Sequence, residues 1–160
     1  MTMKAIRLVL AAFIAAFAAT AAFADDRHEG YYYPEISSTE VYLSRAAKLD
    51  DSNRSRRIGF VIGLTKFIYE QPYPPQFAIF AKGDEAEKLI VVATGDGQFN
   101  TIYRARALFA SLTALARMSP LFREFAVEEY FTFFDLAKLL GFTQITVSDG
   151  DTFAHRIEIR

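Results

Sequence analysis

Apolar positions recur at helical spacing between Asp51 and Glu70, where Ile58, Val61, Ile62, Thr65, Ile68 and Tyr69 fall on one stripe at 100° per residue. Phe60, Leu64 and Phe67 widen that stripe beyond half the circumference, which predicts a largely buried helix. Gly59, Gly63, Lys66 and Glu70 share the narrow strip that remains, and Ser52 or Asn53 supplies an N-cap. Pro72-Tyr73-Pro74-Pro75 ends the helix, since proline lacks the amide donor and restricts its neighbour.

Two nearly continuous apolar runs follow, Phe77 to Ala81 and Leu89 to Ala93, joined by Gly83-Asp84-Glu85-Ala86-Glu87. The pattern predicts a hairpin of central strands covered on both faces. After the Asp96-Gly97 turn, Asn100 or Thr101 caps a helix to about Met118, with Ile102, Ala105, Phe109, Leu112 and Ala116 on its apolar face. Ser119-Pro120 is an N-cap/N1 pair opening another helix. Thr132-Phe133-Phe134-Asp135 has the form of a capping box for a last helix, closed by Gly141. Phe142 to Ser148 and Thr152 to Ile159 form a second hairpin, and Ile36 to Leu43 has the residue types of a short edge strand but alternates poorly. Hairpins separated by helices predict an α+β fold. The expectation is one domain, an antiparallel sheet of two β-hairpins packed with three to four helices.

Residues 1–24 stand apart from this pattern. Lys4 and Arg7 precede an apolar run from Leu8 to Ala19, and Ala22-Phe23-Ala24 is an A-x-A cleavage pattern. That is the form of a secretory signal peptide. Its apolar run falls short of the ~20 residues a membrane span needs, so no stable anchor is expected after cleavage. The expected organisation is a signal peptide over 1–24, a flexible arm over 25–34 and one domain over 35–160, with a periplasmic address.

The chain of 160 residues contains no cysteine, and its 16 phenylalanines and 8 tyrosines make packing the source of stability. The formal net charge of −1 becomes more acidic once Lys4 and Arg7 are removed. A non-specific nucleic-acid binder needs a basic surplus to release counterions, so that class is disfavoured and no nucleic-acid partner is expected.

Candidate chemistry concentrates in Ser148-Asp149-Gly150-Asp151-Thr152-Phe153-Ala154-His155, which holds two carboxylates and one of the two histidines. In the last strand Phe153, His155, Ile157 and Ile159 share a face, and in the preceding strand Ile145 and Val147 are the matching set. Bringing both sets to one face requires an odd loop. Asp149-Gly150-Asp151 provides it, with Val147 opposite Phe153 and Ile145 opposite His155. Asp149 and Asp151 then serve the turn, so their amide substitutions should be nearly silent, while His155 faces the core. As a polar cluster, Asp149, Asp151 and His155 lack the alternating carboxylates and distant glutamate of a calcium loop. No metal or cofactor is expected.

The remaining candidates concern recognition. His28 falls in the arm, fourth after the cleavage site, one position later than an amino-terminal copper site requires. Tyr31, Tyr32, Tyr33 and Tyr73 are rigid aromatic groups with polar tips, and Arg54, Arg56 and Arg57 open the first long helix. Together they form a candidate surface for a protein partner or a small anionic ligand. No G-x-S-x-G elbow, H-E-x-x-H pair or cysteine nucleophile is present.

The blocks PYPPQFAIFAKGDEAEKLIVV, YRARALFA, PLFREF, FTFFDLAKLLGF and TVSDGDTFAH resemble a family of small exported bacterial proteins. Its members often carry the label "molybdopterin-guanine dinucleotide biosynthesis protein A", and the likeness spans nearly the whole chain after residue 24. Taken literally, the label implies a molybdenum-cofactor guanylyltransferase. Such enzymes begin with a strand and an L-A-G-G-x-S-x-R-M-G loop that cradles GTP phosphates on backbone amides. Here a signal-peptide pattern holds those positions and Gly95-Asp96-Gly97 is an isolated turn, so no residue of that enzyme carries over. The export signal, the missing catalytic motifs and the tyrosine/proline loops lead instead to the expectation of a non-enzymatic exported interaction or accessory protein. The alternative is a small-molecule-binding or hydrolytic protein with its pocket near His155.

Overall fold

Local capping chemistry sets the helix starts. The computed structural model describes residues 34–160; the expected signal peptide, His28 and Tyr31 to Tyr33 lie outside them. In chain order the elements are β1 (Ser38–Tyr42), α1 (Arg54–Tyr69), β2 (Phe77–Lys82), β3 (Lys88–Ala93), α2 (Ile102–Arg117), α3 (Pro120–Glu124), α4 (Phe133–Leu139), β4 (Gln144–Ser148) and β5 (Ala154–Ile159). Asn53 caps α1 by accepting from the Arg56 amide, Thr101 caps α2 through Arg104, and Ser119 caps α3 through Phe122, with Pro120 at its first position. Thr132 and Asp135 form the expected capping box on α4.

The five strands form one sheet in the order β1-β5-β4-β3-β2. Both expected hairpins are present and antiparallel, β2 with β3 and β4 with β5. The sheet as a whole is mixed, which corrects the purely antiparallel expectation: β3 pairs parallel with β4, and β1 adds parallel to β5. The reason is the connection. The chain leaves β3, passes through α2, α3 and α4, and returns to the same edge in the same direction, as parallel pairing requires.

β3 is central, with Leu89, Ile90 and Val91 all buried. β2 is not; it forms the sheet edge, and among its side chains only Ile79 is buried while Phe80 is exposed. The core joins Leu89, Val91, Ile145, Val147 and Ile157 of the sheet to Phe109, Leu112, Phe122, Phe133 and Leu136 of the helices. α1 departs from its expectation. Only Arg57 and Ile68 are buried along it, and Ile62 is 63% exposed. Its apolar stripe is wider than the face the domain covers, so part of the stripe is left in solvent.

Asp135 joins the parts. Its carboxylate is fully buried and accepts from the Tyr42 and Ser44 hydroxyls at 3.0 and 2.9 Å, from the Arg45 amide at 2.9 Å, and from the Thr132 amide at 2.8 Å. Burial alone would raise its pKa. The amides of Thr132 and Arg45 and the hydroxyls of Ser44 and Thr132 outweigh burial and hold it below the ordinary carboxylate value. A depressed folded pKa contributes stability that is fully present above the unfolded value of about 3.9 and is lost as pH falls through the folded value. Asp135→Asn is therefore expected to cost about 2–4 kcal/mol at pH 7, because an amide turns donors toward donors. In urea titrations across pH, the gap between wild type and variant should shrink only below about pH 4. A gap that is constant down to acid unfolding would contradict the buried carboxylate.

Candidate functional site

The β4–β5 turn is two residues longer than its sequence predicts. The loop runs from Asp149 to Phe153, so Val147 pairs with His155 and Ile145 with Ile157, which corrects the expected register. The odd loop parity is kept, and both apolar sets share the core face. The extra length comes from Asp149, whose Oδ1 accepts from the amides of Asp151, Thr152 and Phe153 at 3.0, 3.0 and 2.9 Å. Its Oδ2 takes the Thr152 hydroxyl at 3.1 Å. Burial raises the Asp149 pKa, and the bonds from Asp151, Phe153 and Thr152 overcome it and bring the net value down.

Asp149 is thus the organiser of the turn, and Asp151 is an exposed surface acid. Both acids belong to the turn, as expected, and the hydrogen bonds give them unequal parts in it. His155 has other partners. It is 1% exposed, with Nδ1 2.8 Å from Ser38 Oγ and Nε2 3.4 Å from Glu40 Oε1. Parallel pairing places Ser38 directly beside His155, and Glu40 lies two residues further on the same side of β1. Arg106 of α2 reaches Glu40 at 3.2 Å and completes the row Ser38–His155–Glu40–Arg106. Sequence reasoning missed Ser38 and Glu40, because only the β1–β5 pairing brings them to the histidine. Among the described residues no group of three His, Cys, Asp or Glu side chains could hold a metal ion.

The basic cluster is divided. Arg57 is buried, so it is no part of a recognition surface. Its Nε and Nη2 donate to the Glu85 carbonyl at 2.8 and 2.7 Å, and Nη1 reaches the Leu140 carbonyl at 3.4 Å. It thereby fastens α1 to the β2–β3 turn and to the end of α4. Arg56 pairs with the exposed Asp51, and Arg54 lies on the surface. Tyr73 is 79% exposed in its proline loop. Gly141 is required where Arg57 passes: its φ is +81°, and a Cβ there would stand 2.7 Å from Arg57 Nη1.

The one-sided packing of α1 leaves a groove of about 410 Å³ between it and the α2–α3 corner. Phe60, Leu64 and Phe67 form one wall, Leu112, Leu115 and Met118 the other, and Phe133 and Leu136 line it from α4. A neighbouring depression of about 560 Å³ shares Phe60, Ser119, Pro120 and Leu136 and runs to Arg56 and Glu124. Gly63 lines the first and Gly59 the second, and a Cβ on either would meet nothing within 4 Å. The glycine strip on α1 was the sequence signal for this groove. Neither depression includes Ser38, Glu40 or His155.

The Gly95-Asp96-Gly97 turn leads from β3 into α2, and the Gly97 carbonyl accepts from Arg104. No family model, curated protein or solved structure matches the chain.

The turn geometry separates its two acids experimentally. Asp149→Ala should lower stability by about 1–2 kcal/mol through loss of charge-assisted bonds, whereas Asp151→Asn should stay within about 0.5 kcal/mol. Equal effects in chemical denaturation would contradict the assignment of Asp149 as organiser.

Proposed function

We propose that the protein is an exported, non-enzymatic binding or accessory module whose working surface is the apolar groove of α1, α2 and α3. The carrying observation is the groove itself: a depression in the size range of ligand pockets, lined almost wholly by apolar side chains, with open space at both glycines. Phe67 and Met118 of its lining are themselves exposed, apolar surface of the kind that marks interaction sites. The signal-peptide pattern and the family resemblance support the periplasmic address.

Ser38, His155 and Glu40 favour a second reading, a hydrolase with serine as nucleophile. Against it stands the burial of the imidazole at a strand pairing, and neither depression described above includes Ser38, Glu40 or His155. The arrangement is better suited to locking the edge strand to its neighbour.

Two measurements distinguish these readings. N-phenyl-1-naphthylamine should gain fluorescence on binding the protein, and Gly63→Leu should abolish the gain by filling the groove. The variant should melt at or above the wild-type temperature, because glycine costs about 1 kcal/mol in a helix interior. A fluorophosphonate probe should leave Ser38 unlabelled. Labelling that is lost in Ser38→Ala, with no naphthylamine signal, would replace binding by hydrolysis.

A further inference from the structure

Between Arg56 and Phe67 the groove follows α1 for about 16 Å at the helical rise. It is long and open along its length, and its chemistry changes from one end to the other. Around Phe67 and Met118 every lining group is apolar. Ser119, near the middle, already uses its hydroxyl to accept from the Phe122 amide. The other end carries Arg56, whose only described acidic partner is Asp51 in solvent. Glu124 is the one acid that lines the same end.

Resting on the binding reading above, we propose that the ligand is a free fatty acid, its hydrocarbon chain lying along Gly63 and its carboxylate meeting Arg56. The shape suits one flexible chain. A volume of about 410 Å³ accommodates about a dozen methylene-sized groups at the roughly 30 Å³ that liquid water allots to one molecule. The charge suits an anion, because the ligand carboxylate would replace the exposed Asp51 on Arg56 and form a charge-assisted pair. A partner helix about 10–12 Å across, by contrast, would rest on the rim and leave the Arg56 end unfilled.

Displacement of naphthylamine by a series of fatty acids tests the proposal on the purified protein. Affinity should rise about two- to fourfold per added methylene from octanoate to dodecanoate, then level off as the groove fills. Dodecanol should bind more weakly than dodecanoate. Arg56→Gln should remove most of that difference, weakening dodecanoate about three- to fivefold and leaving dodecanol unchanged. Glu124→Gln should tighten dodecanoate about twofold.

Several results would overturn it. If naphthylamine binds and Gly63→Leu abolishes its signal, but no fatty acid displaces it, the binding reading stands and the fatty-acid proposal falls. If naphthylamine does not bind at all, both fall. Equal affinities for dodecanoate and dodecanol would remove Arg56 from the site. Co-sedimentation with phosphatidylglycerol vesicles, without displacement by monomeric dodecanoate, would assign the groove to a membrane surface instead.

Discussion

A single buried carboxylate holds three parts of this fold in place. Asp135 caps its own helix through Thr132, fixes the end of β1 through Tyr42, and draws in the following segment through Ser44 and the Arg45 amide. Asp135 itself is fully buried, and without those donors its carboxylate would be an uncompensated charge in the interior, which is costly. The cost of burying the charge is offset only while all the donors are present. The position is therefore intolerant of change, and its influence spreads in two directions. Toward the sheet, it anchors the strand that carries Ser38 and Glu40 to His155. Toward the helices, it sets α4, whose Phe133 and Leu136 line the groove.

Arg57 performs the complementary task on α1. A buried guanidinium spends its donors on two backbone carbonyls from different parts of the chain, the β2–β3 turn and the end of α4. The start of α1 is thereby pinned, while the outer side of its later turns, with Gly59, Gly63 and Phe67, is left open. An apolar helix fixed at one end and uncovered on one side makes a wall, and α2 with α3 makes the other. The groove follows from this division and not from any strained or irregular segment.

Features governed by neighbouring residues were legible in the sequence. Thr101, Ser119 and Thr132 announce their helices by side chains that satisfy amides two or three residues away, and both hairpins are visible from their turns. Features set by distant contacts were not. The parallel β3–β4 pairing depends on where a three-helix connection returns. One local feature was missed as well: the β4–β5 register slipped by two because the Asp149 side chain takes the place of backbone partners in the loop. Periodicity placed Ile62 and Tyr69 on the buried stripe of α1, and both are exposed, because a stripe wider than half the circumference is more than the domain covers. Arg57 looked like one of three surface cations, since nothing in its spacing shows that Gly141 leaves room for it. Of the groove only the glycine strip was visible; its other wall lies some fifty residues further along the chain.

The central claim is that the protein acts through the α1 groove and not through the His155 row. Amide chemical shifts of the isotopically labelled protein during titration with dodecanoate test this most directly. The expected result is saturable shifts at Gly59, Gly63, Leu115, Met118 and Ser119, with Ser38, Glu40 and His155 unmoved. Shifts centred on His155 and its β1 neighbours, with the groove residues silent, would contradict it.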